Sequence, residues 1–298
     1  MHILLLCAQT EVPKVVTRLV VKPGTIKKVP FTTYIVDTSP DPTDRVVLQQ
    51  EVRAADAVCL VYAVDSPQGA QEERMEYWLD VVRSLNPAVP VVLVGNKVDL
   101  RPEGSLAARN LKLELRPLMN RHKNVEMVVE CSAKRQLNVQ EVFYFAHKAV
   151  LHPLSVIFDS DAYDLTPPAL RALTRIFRLI DSNRDGILSD ADVQAFQAKV
   201  FGRELTSDKL AEMKATIAET LPHGLDNATG GITLQGFLFI QVHFIQRGKV
   251  ELPWTVLRAF GYSDTLVLSA QMLAPIAFDS GTWAGIKATK QAAPTPGD

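Results

Sequence analysis

The chain has 298 residues, 47% of them hydrophobic and 22% charged, and its formal net charge is −1. That length suits one large or two ordinary domains with their own cores, and the even charge balance offers nothing toward nucleic acid or an anionic membrane. No apolar run approaches the ~20 residues that cross a bilayer, and the histidines form no HExxH pair for catalytic zinc. Cys7, Cys59 and Cys131, far apart and with no secretory signal ahead of them, read as buried reduced thiols.

In chain order, the first 150 residues alternate short apolar runs with longer helical patterns. His2–Leu6, Thr33–Val36, Ala57–Val64, Val89–Val94 and Glu126–Glu130 read as strands, and Arg45–Arg53, Ala70–Leu85, Leu106–Arg121 and Asn138–Ala149 as helices. Continuous apolar strands separated by helices predict a parallel sheet covered on both faces. Ligands bind such sheets beyond the carboxyl ends of the strands.

A composition break follows His152-Pro153, and residues 153–165 read as a linker. Thr166-Pro167-Pro168 then starts a helix, with Thr166 as N-cap and Pro167 in the first turn. Leu170, Leu173, Ile176, Phe177 and Ile180 mark its apolar face, and only helical periodicity runs on to about Phe260. The domains expected are 1–152 and 166–275, with 276–298 as a small, polar, disordered tail.

Two runs stand at strand ends in the first domain. Asn96-Lys97-Val98-Asp99 follows Val89–Val94, and Ser132-Ala133-Lys134 follows Glu126–Glu130. An aspartate after Asn-Lys-x can accept two hydrogen bonds from the N–H groups of guanine, which adenine cannot supply. Lys97 can lay its stem along the base, Asn96 can tie the neighbouring loops, and Ser132-Ala133-Lys134 offers a backbone N–H to the base oxygen. Either run alone is a common polar loop; both on successive strands point to guanine.

The phosphate side does not match. A phosphate loop needs G-x-x-x-x-G-K-[ST] after the first strand. This chain reads Cys7-Ala8-Gln9-Thr10-Glu11-Val12-Pro13-Lys14-Val15-Val16, with no glycine, a proline that removes an N–H, and valine where magnesium wants a hydroxyl. Asp37-Thr38-Ser39-Pro40 stands at an Asp-x-x-Gly position without the glycine, and no glutamine follows to orient water. Charged hydrogen bonds contribute about 1.5–3 kcal/mol each, so losing three or four removes several decades of affinity. GTP or GDP binding is expected to be weak or absent.

In the second domain, Asp181-Ser182-Asn183-Arg184-Asp185-Gly186-Ile187-Leu188-Ser189-Asp190-Ala191-Asp192 follows the EF-hand loop spacing. Asp181, Asn183 and Asp185 give oxygens at positions 1, 3 and 5, Gly186 makes the turn, and Ile187 gives its carbonyl. Ser189 acts directly or through water. Position 12 is Asp192 where a bidentate glutamate is usual, which predicts weaker calcium binding or a shift toward magnesium. The competing reading is that Ser189 and Asp192 only form a capping box. A second helix-loop-helix, Leu210–Leu221 and Leu234–Ile245, lacks an acid at Gly236; it reads as a metal-free partner whose Ile232 pairs with Leu188.

With these segments placed, the chain resembles the mitochondrial Rho GTPases, the Miro family. The likeness rests on Tyr34–Ser39, Val94–Leu100, Val129–Lys134, Phe143–Pro153, Ala172–Phe177, Gly236–Gly248 and Trp254–Tyr262, and extends over about Met1 to Leu273. It implies an α/β Ras-like parallel-sheet domain followed by an all-α paired EF-hand domain. It further implies GTP hydrolysis, calcium-sensitive coupling to motor adaptors or other trafficking proteins, and the cytosolic face of the mitochondrial outer membrane. The family's second EF module, second GTPase domain and tail anchor have no counterpart in this sequence, so no direct membrane span is expected here.

Three functions compete: a calcium-binding regulator of mitochondrial trafficking with a degenerate GTPase domain, an active small GTPase, and an inert protein-binding scaffold. The first is preferred, because a matched calcium loop stands beside an altered phosphate loop. No catalytic residue is assigned.

Overall fold

The computed structural model describes residues 1–7, 18–26, 29–38, 45–65, 68–101 and 115–269. Short runs of Val, Ile and Leu form β1 (His2–Cys7), β3 (Val29–Asp37), β4 (Ala57–Ala63), β5 (Val91–Asn96) and β6 (Val125–Glu130). They pair in parallel in the order β3-β1-β4-β5-β6. Residues of period two split between the faces. Leu4, Leu6, Val58 and Leu60 belong to one core with Met75 and Leu79. Ile3, Ala57, Cys59 and Val92 belong to another with Val142 and Ala146. The first core lies under α1 (Arg45–Ala54) and α2 (Gln68–Leu85), the second under α4 (Val139–Leu151). Cys59 and Cys131 are free and buried.

One strand lies outside the expected parallel set. β2 (Arg18–Ile26) lies antiparallel on β3 at the edge. Pro23 and Gly24 interrupt its apolar run, and the register shifts between Val21 and Gly24; an edge strand with a bulge tolerates both residues. Of the helix expected over Leu106–Arg121, the described part is α3 (Arg116–Arg121). Residues 8–17, which carry the phosphate-loop reading and Lys14, lie outside the described residues, as do 102–114 and the expected tail 276–298.

Residues 153–165, read as a linker, hold a short helix α5 (Leu154–Ile157) and a two-strand pair, β7 (Phe158–Asp159) with β8 (Asp164–Leu165). Ile157, Phe158 and Leu165 belong to the core of the helical module, so the segment is part of that module. α6 (Pro167–Ile180) starts where Thr166 Oγ1 accepts from Ala169 N at 3.4 Å. Leu173, Ile176 and Phe177 are buried, but Leu170, placed on the same face by periodicity, is exposed. α7 (Asp190–Phe201), α8 (Ser207–Thr220), α9 (Leu234–Gln246) and α10 (Glu251–Ala259) complete the module. Between them β9 (Ile187–Leu188) and β10 (Ile232–Thr233) form an antiparallel bridge with Leu188 opposite Ile232, which is the expected pairing.

The two regions are joined through α10. The Trp254 indole is fully buried and donates from Nε1 to Pro153 O at 3.1 Å. The Arg258 guanidinium lies 4.9 Å from the Trp254 ring and donates to Leu151 O. Lys148 Nζ reaches Gly248 O at 2.6 Å and Glu251 at 3.2 Å. From β6, Glu126 accepts from Leu154 N at 2.8 Å and from Ser155 Oγ at 2.8 Å.

Candidate functional site

The carboxyl ends of β5 and β6 bring the two guanine-type runs together. Asn96 Oδ1 accepts from Lys97 N at 2.8 Å and, across the loops, from Ala133 N at 3.0 Å. Ser132 is fully buried. Its Oγ donates to Asp99 Oδ1 at 2.6 Å and accepts from Arg135 N at 3.0 Å. The Ser132 hydrogen bond holds the Asp99 carboxyl below its usual range, outweighing its slight desolvation, with Lys134 and Arg135 adding to the effect. Asp99 therefore presents an oriented carboxylate, the group a guanine edge needs. Lys97 sits in a left-handed turn, φ 67°, with Nζ 3.6 Å from Asp65. Ala133 and Lys134 are exposed.

Two supports carried no sequence signal. Arg101 grips Glu130 with both guanidinium arms, at 3.0 and 2.6 Å, and so fastens the Asp99 loop to the strand that ends in Ser132. Asp65 meets Lys97 from the end of β4. At the end of β3, Thr38 N donates to Asp37 Oδ1 at 3.0 Å, while burial raises the Asp37 carboxyl above its usual range.

The second candidate is the loop between α6 and α7. Asp181 Oδ1 accepts from Arg184 N at 2.7 Å and Oδ2 from Gly186 N at 2.9 Å. Asn183 Oδ1 accepts from Asp185 N at 3.2 Å, and Asp185 Oδ1 from Ile187 N at 2.8 Å. These bonds wind the chain around Asp181, Asn183 and Asp185. Gly186 has φ 85°, a value at which a side chain costs strain. Asp192 is 5% exposed and lies apart from that group in role. Its Oδ2 accepts from Ser189 N at 2.9 Å and Ser189 Oγ at 2.6 Å, while Ser189 Oγ accepts from Asp192 N, so the capping box is present. Burial pushes the Asp192 carboxyl up, but the bonds from Ser182 and Ser189 outweigh it and hold the group below its usual range.

The donor set fits a hard dication: carboxylates, an amide oxygen and the Ile187 carbonyl on one short loop. Among the described residues, no three His, Cys, Asp or Glu side chains converge as a ready metal cluster. The partner loop has no such set. Asp226 accepts from Thr229 N at 2.8 Å and Thr229 Oγ1 at 2.7 Å. At Gly236 an added Cβ would stand 2.1 Å from the Gly224 carbonyl oxygen. Backbone contact thus fills the place where a twelfth-position carboxylate would act.

Two family models match the chain. The Ras family matches residues 11–152, and the family described as EF hand associated matches residues 203–289. A Ras-family match implies guanine nucleotide with magnesium, and the EF-hand association suggests calcium. The Mitochondrial Rho GTPase 1 of Arabidopsis thaliana is 42% identical over 239 residues, 80% of this chain and 36% of the relative. That of Mycosarcoma maydis is 40% identical over 290 residues, 89% of this chain and 38% of the relative. That of Cryptococcus neoformans is 39% identical over 297 residues, 89% of this chain and 43% of the relative. The chain therefore spans about two-fifths of the length of the curated relatives it matches. Among the described residues no helix is long and apolar enough to cross a membrane. With identity near 40% over most of its length and both domain types in place, the chain belongs to the mitochondrial Rho GTPase (Miro) family.

Proposed function

We propose that this chain is a calcium-responsive regulatory segment of a mitochondrial Rho GTPase, acting in the positioning of mitochondria. One observation carries the reading. A loop with an EF-hand donor set is built into a paired module, and that module is fastened to the guanine-type domain through Arg258 and Lys148. Asp181, Asn183, Asp185, the Ile187 carbonyl and Asp192 would hold the ion. Calcium would supply one centre of positive charge around which α6 and α7 set their angle. The α10 contacts would carry a change in that angle to the sheet domain. Motor adaptors or other trafficking proteins on the cytosolic face of the outer membrane are the partners this reading names.

In the same reading the sheet domain keeps guanine recognition at Asn96, Lys97, Asp99, Ser132, Ala133 and Lys134 but grips phosphate weakly, because residues 8–17 hold no glycine and Val15 follows Lys14 where magnesium needs a hydroxyl. Calorimetry on the whole chain tests the calcium half: heat on adding calcium, lost in Asp181→Ala, is expected. No heat at millimolar metal, or heat unchanged by the substitution, rules it out.

A working GTPase is the second reading, supported by the oriented Asp99 carboxylate. Mant-GDP fluorescence separates the two. Micromolar binding abolished by Asp99→Ala favours hydrolysis, and absence of binding at tens of micromolar removes it.

A further inference from the structure

Ser182 is the second residue of the loop and supplies none of the expected metal ligands. Its hydroxyl nevertheless donates to Asp192 Oδ1 at 2.6 Å. The two Ser189 bonds on Oδ2 belong to the start of α7, and a Ser-x-x-Asp helix start makes them for its own sake. The Ser182 bond has no such role. It crosses from the beginning of the loop to its end, and joins an exposed serine to a buried carboxylate.

A carboxylate offers about four lone-pair sites over its two oxygens. The Ser182 hydroxyl holds Asp192 Oδ1 and the Ser189 N–H and hydroxyl hold Oδ2, with the Ser182 backbone N–H adding to the hold on the carboxylate. Calcium favours a carboxylate that grips with both oxygens, whereas magnesium, with six ligands in strict geometry, takes one. The hydroxyl on Oδ1 therefore stands against the calcium mode more than the magnesium mode.

We propose that Ser182 is a latch: by holding Asp192 Oδ1 it lowers the affinity of this loop for calcium and narrows its preference for calcium over magnesium. The inference rests on the calcium reading above and names the residue that sets its strength. The latch also closes the loop from within the protein, so the loop keeps its shape through the Ser182–Asp192 bond before any ion arrives. A cation gripped by both oxygens must displace the Ser182 hydroxyl and a Ser189 donor, whereas a single contact at Oδ1 leaves the Ser189 pair in place.

The test uses the whole chain as wild type, Ser182→Ala and Ser182→Thr. Calorimetry is run with calcium chloride and separately with magnesium chloride, and amide exchange is measured without metal. Ser182→Ala is expected to bind calcium about tenfold tighter, the worth of one charge-assisted hydrogen bond. Its magnesium affinity changes much less, and Ser182→Thr, which keeps the hydroxyl, stays near wild type. Without metal, the amides of 182–189 exchange faster in Ser182→Ala. If the wild type binds calcium and Ser182→Ala binds it equally or more weakly, the latch is overturned and the calcium reading stands. If neither protein binds calcium at millimolar concentration, both are overturned. Equal gains for the two ions overturn the selectivity.

Discussion

Two carboxylates in this chain are each held by serine hydroxyls at 2.6 Å, one in each domain, and the way they are held differs. Asp99 is held through Oδ1 alone by Ser132, itself fully buried and fixed from behind by Arg135 N. Asp192 is held through both oxygens, by Ser182 and Ser189, and is itself the buried member. A rigid serine gripping one oxygen orients a carboxylate for something outside the protein. Serines on both oxygens turn a carboxylate inward, where it ends one loop and starts one helix. The guanine-type carboxylate is thus preorganised, and an ion entering the other loop would have to displace internal bonds. The same residue pair presents a carboxylate in one domain and closes a loop in the other.

The largest expected effect asks whether the two regions are separate at all. Trp254→Ala removes a fully buried indole and its bond to Pro153, a change that costs about 3–5 kcal/mol. In urea denaturation the helical module is expected to unfold earlier, with the sheet domain's transition much less displaced. A single transition moving as one would show a shared cooperative unit and weaken the contrast. Next comes the pair of loops within the module. Gly236→Ala drives a Cβ against the Gly224 carbonyl oxygen, and overpacking of this kind costs about 1–3 kcal/mol. Gly186→Ala meets open space at φ 85° and costs about 1–2 kcal/mol of backbone strain alone. Thermal melts that ranked Gly186→Ala as the worse of the two would show that the second loop is not closed by backbone contact.

Smaller changes compare the serines directly. Ser132→Ala removes the hydroxyl that bonds both Asp99 and Arg135 N; Ser189→Ala loses a helix cap, at about 1 kcal/mol. Nucleotide binding, where present, is expected to fall in Ser132→Ala and to stay unchanged in Ser189→Ala. The reverse pattern in a mant-GDP titration would remove the orienting role given to Ser132.

How much of this was legible depends on the range of the interaction. β4 and β5 announce themselves because each is a continuous apolar run with buried faces on both sides. β2 does not, because an edge strand interrupted by Pro23-Gly24 loses its pattern while keeping its ladder. The N-cap at Thr166 and the Leu188–Ile232 bridge follow from local spacing. Residues 153–165 look like a linker in the sequence because polar composition hides the few side chains, Ile157, Phe158 and Leu165, that anchor them. At the sites, the motif residues carry type and spacing. Their supports come from far along the chain or by chance geometry: Glu130 for Arg101, Asp65 for Lys97, and Ser182 for Asp192. A serine at loop position two has no pattern of its own to be read.

The smallest expected effect is on pH and separates the domains once more. His122 ends α3 in the sheet domain, is 3% exposed, and has a buried Nδ1 with no hydrogen-bond partner. Burial lowers its pKa; Asp80 and Glu76 on α2 pull the other way, while Arg83 and Arg121 reinforce it. A histidine kept neutral by the fold binds its proton more readily when unfolded. Its contribution to stability is therefore complete above the ordinary histidine pKa of about 6.5 and is lost as the pH falls through the folded value. Melting followed from about pH 8 down to about pH 5 is expected to show the sheet domain's Tm falling, with His122→Gln lowering the starting value but flattening the slope. His243 on α9 is also held low, first by burial and then by Arg247 and Lys249, so the helical module keeps its own slope in that variant. Parallel slopes for wild type and His122→Gln would mean that the acid sensitivity of the sheet domain comes from another group, His147 beside Thr33 being the first to replace.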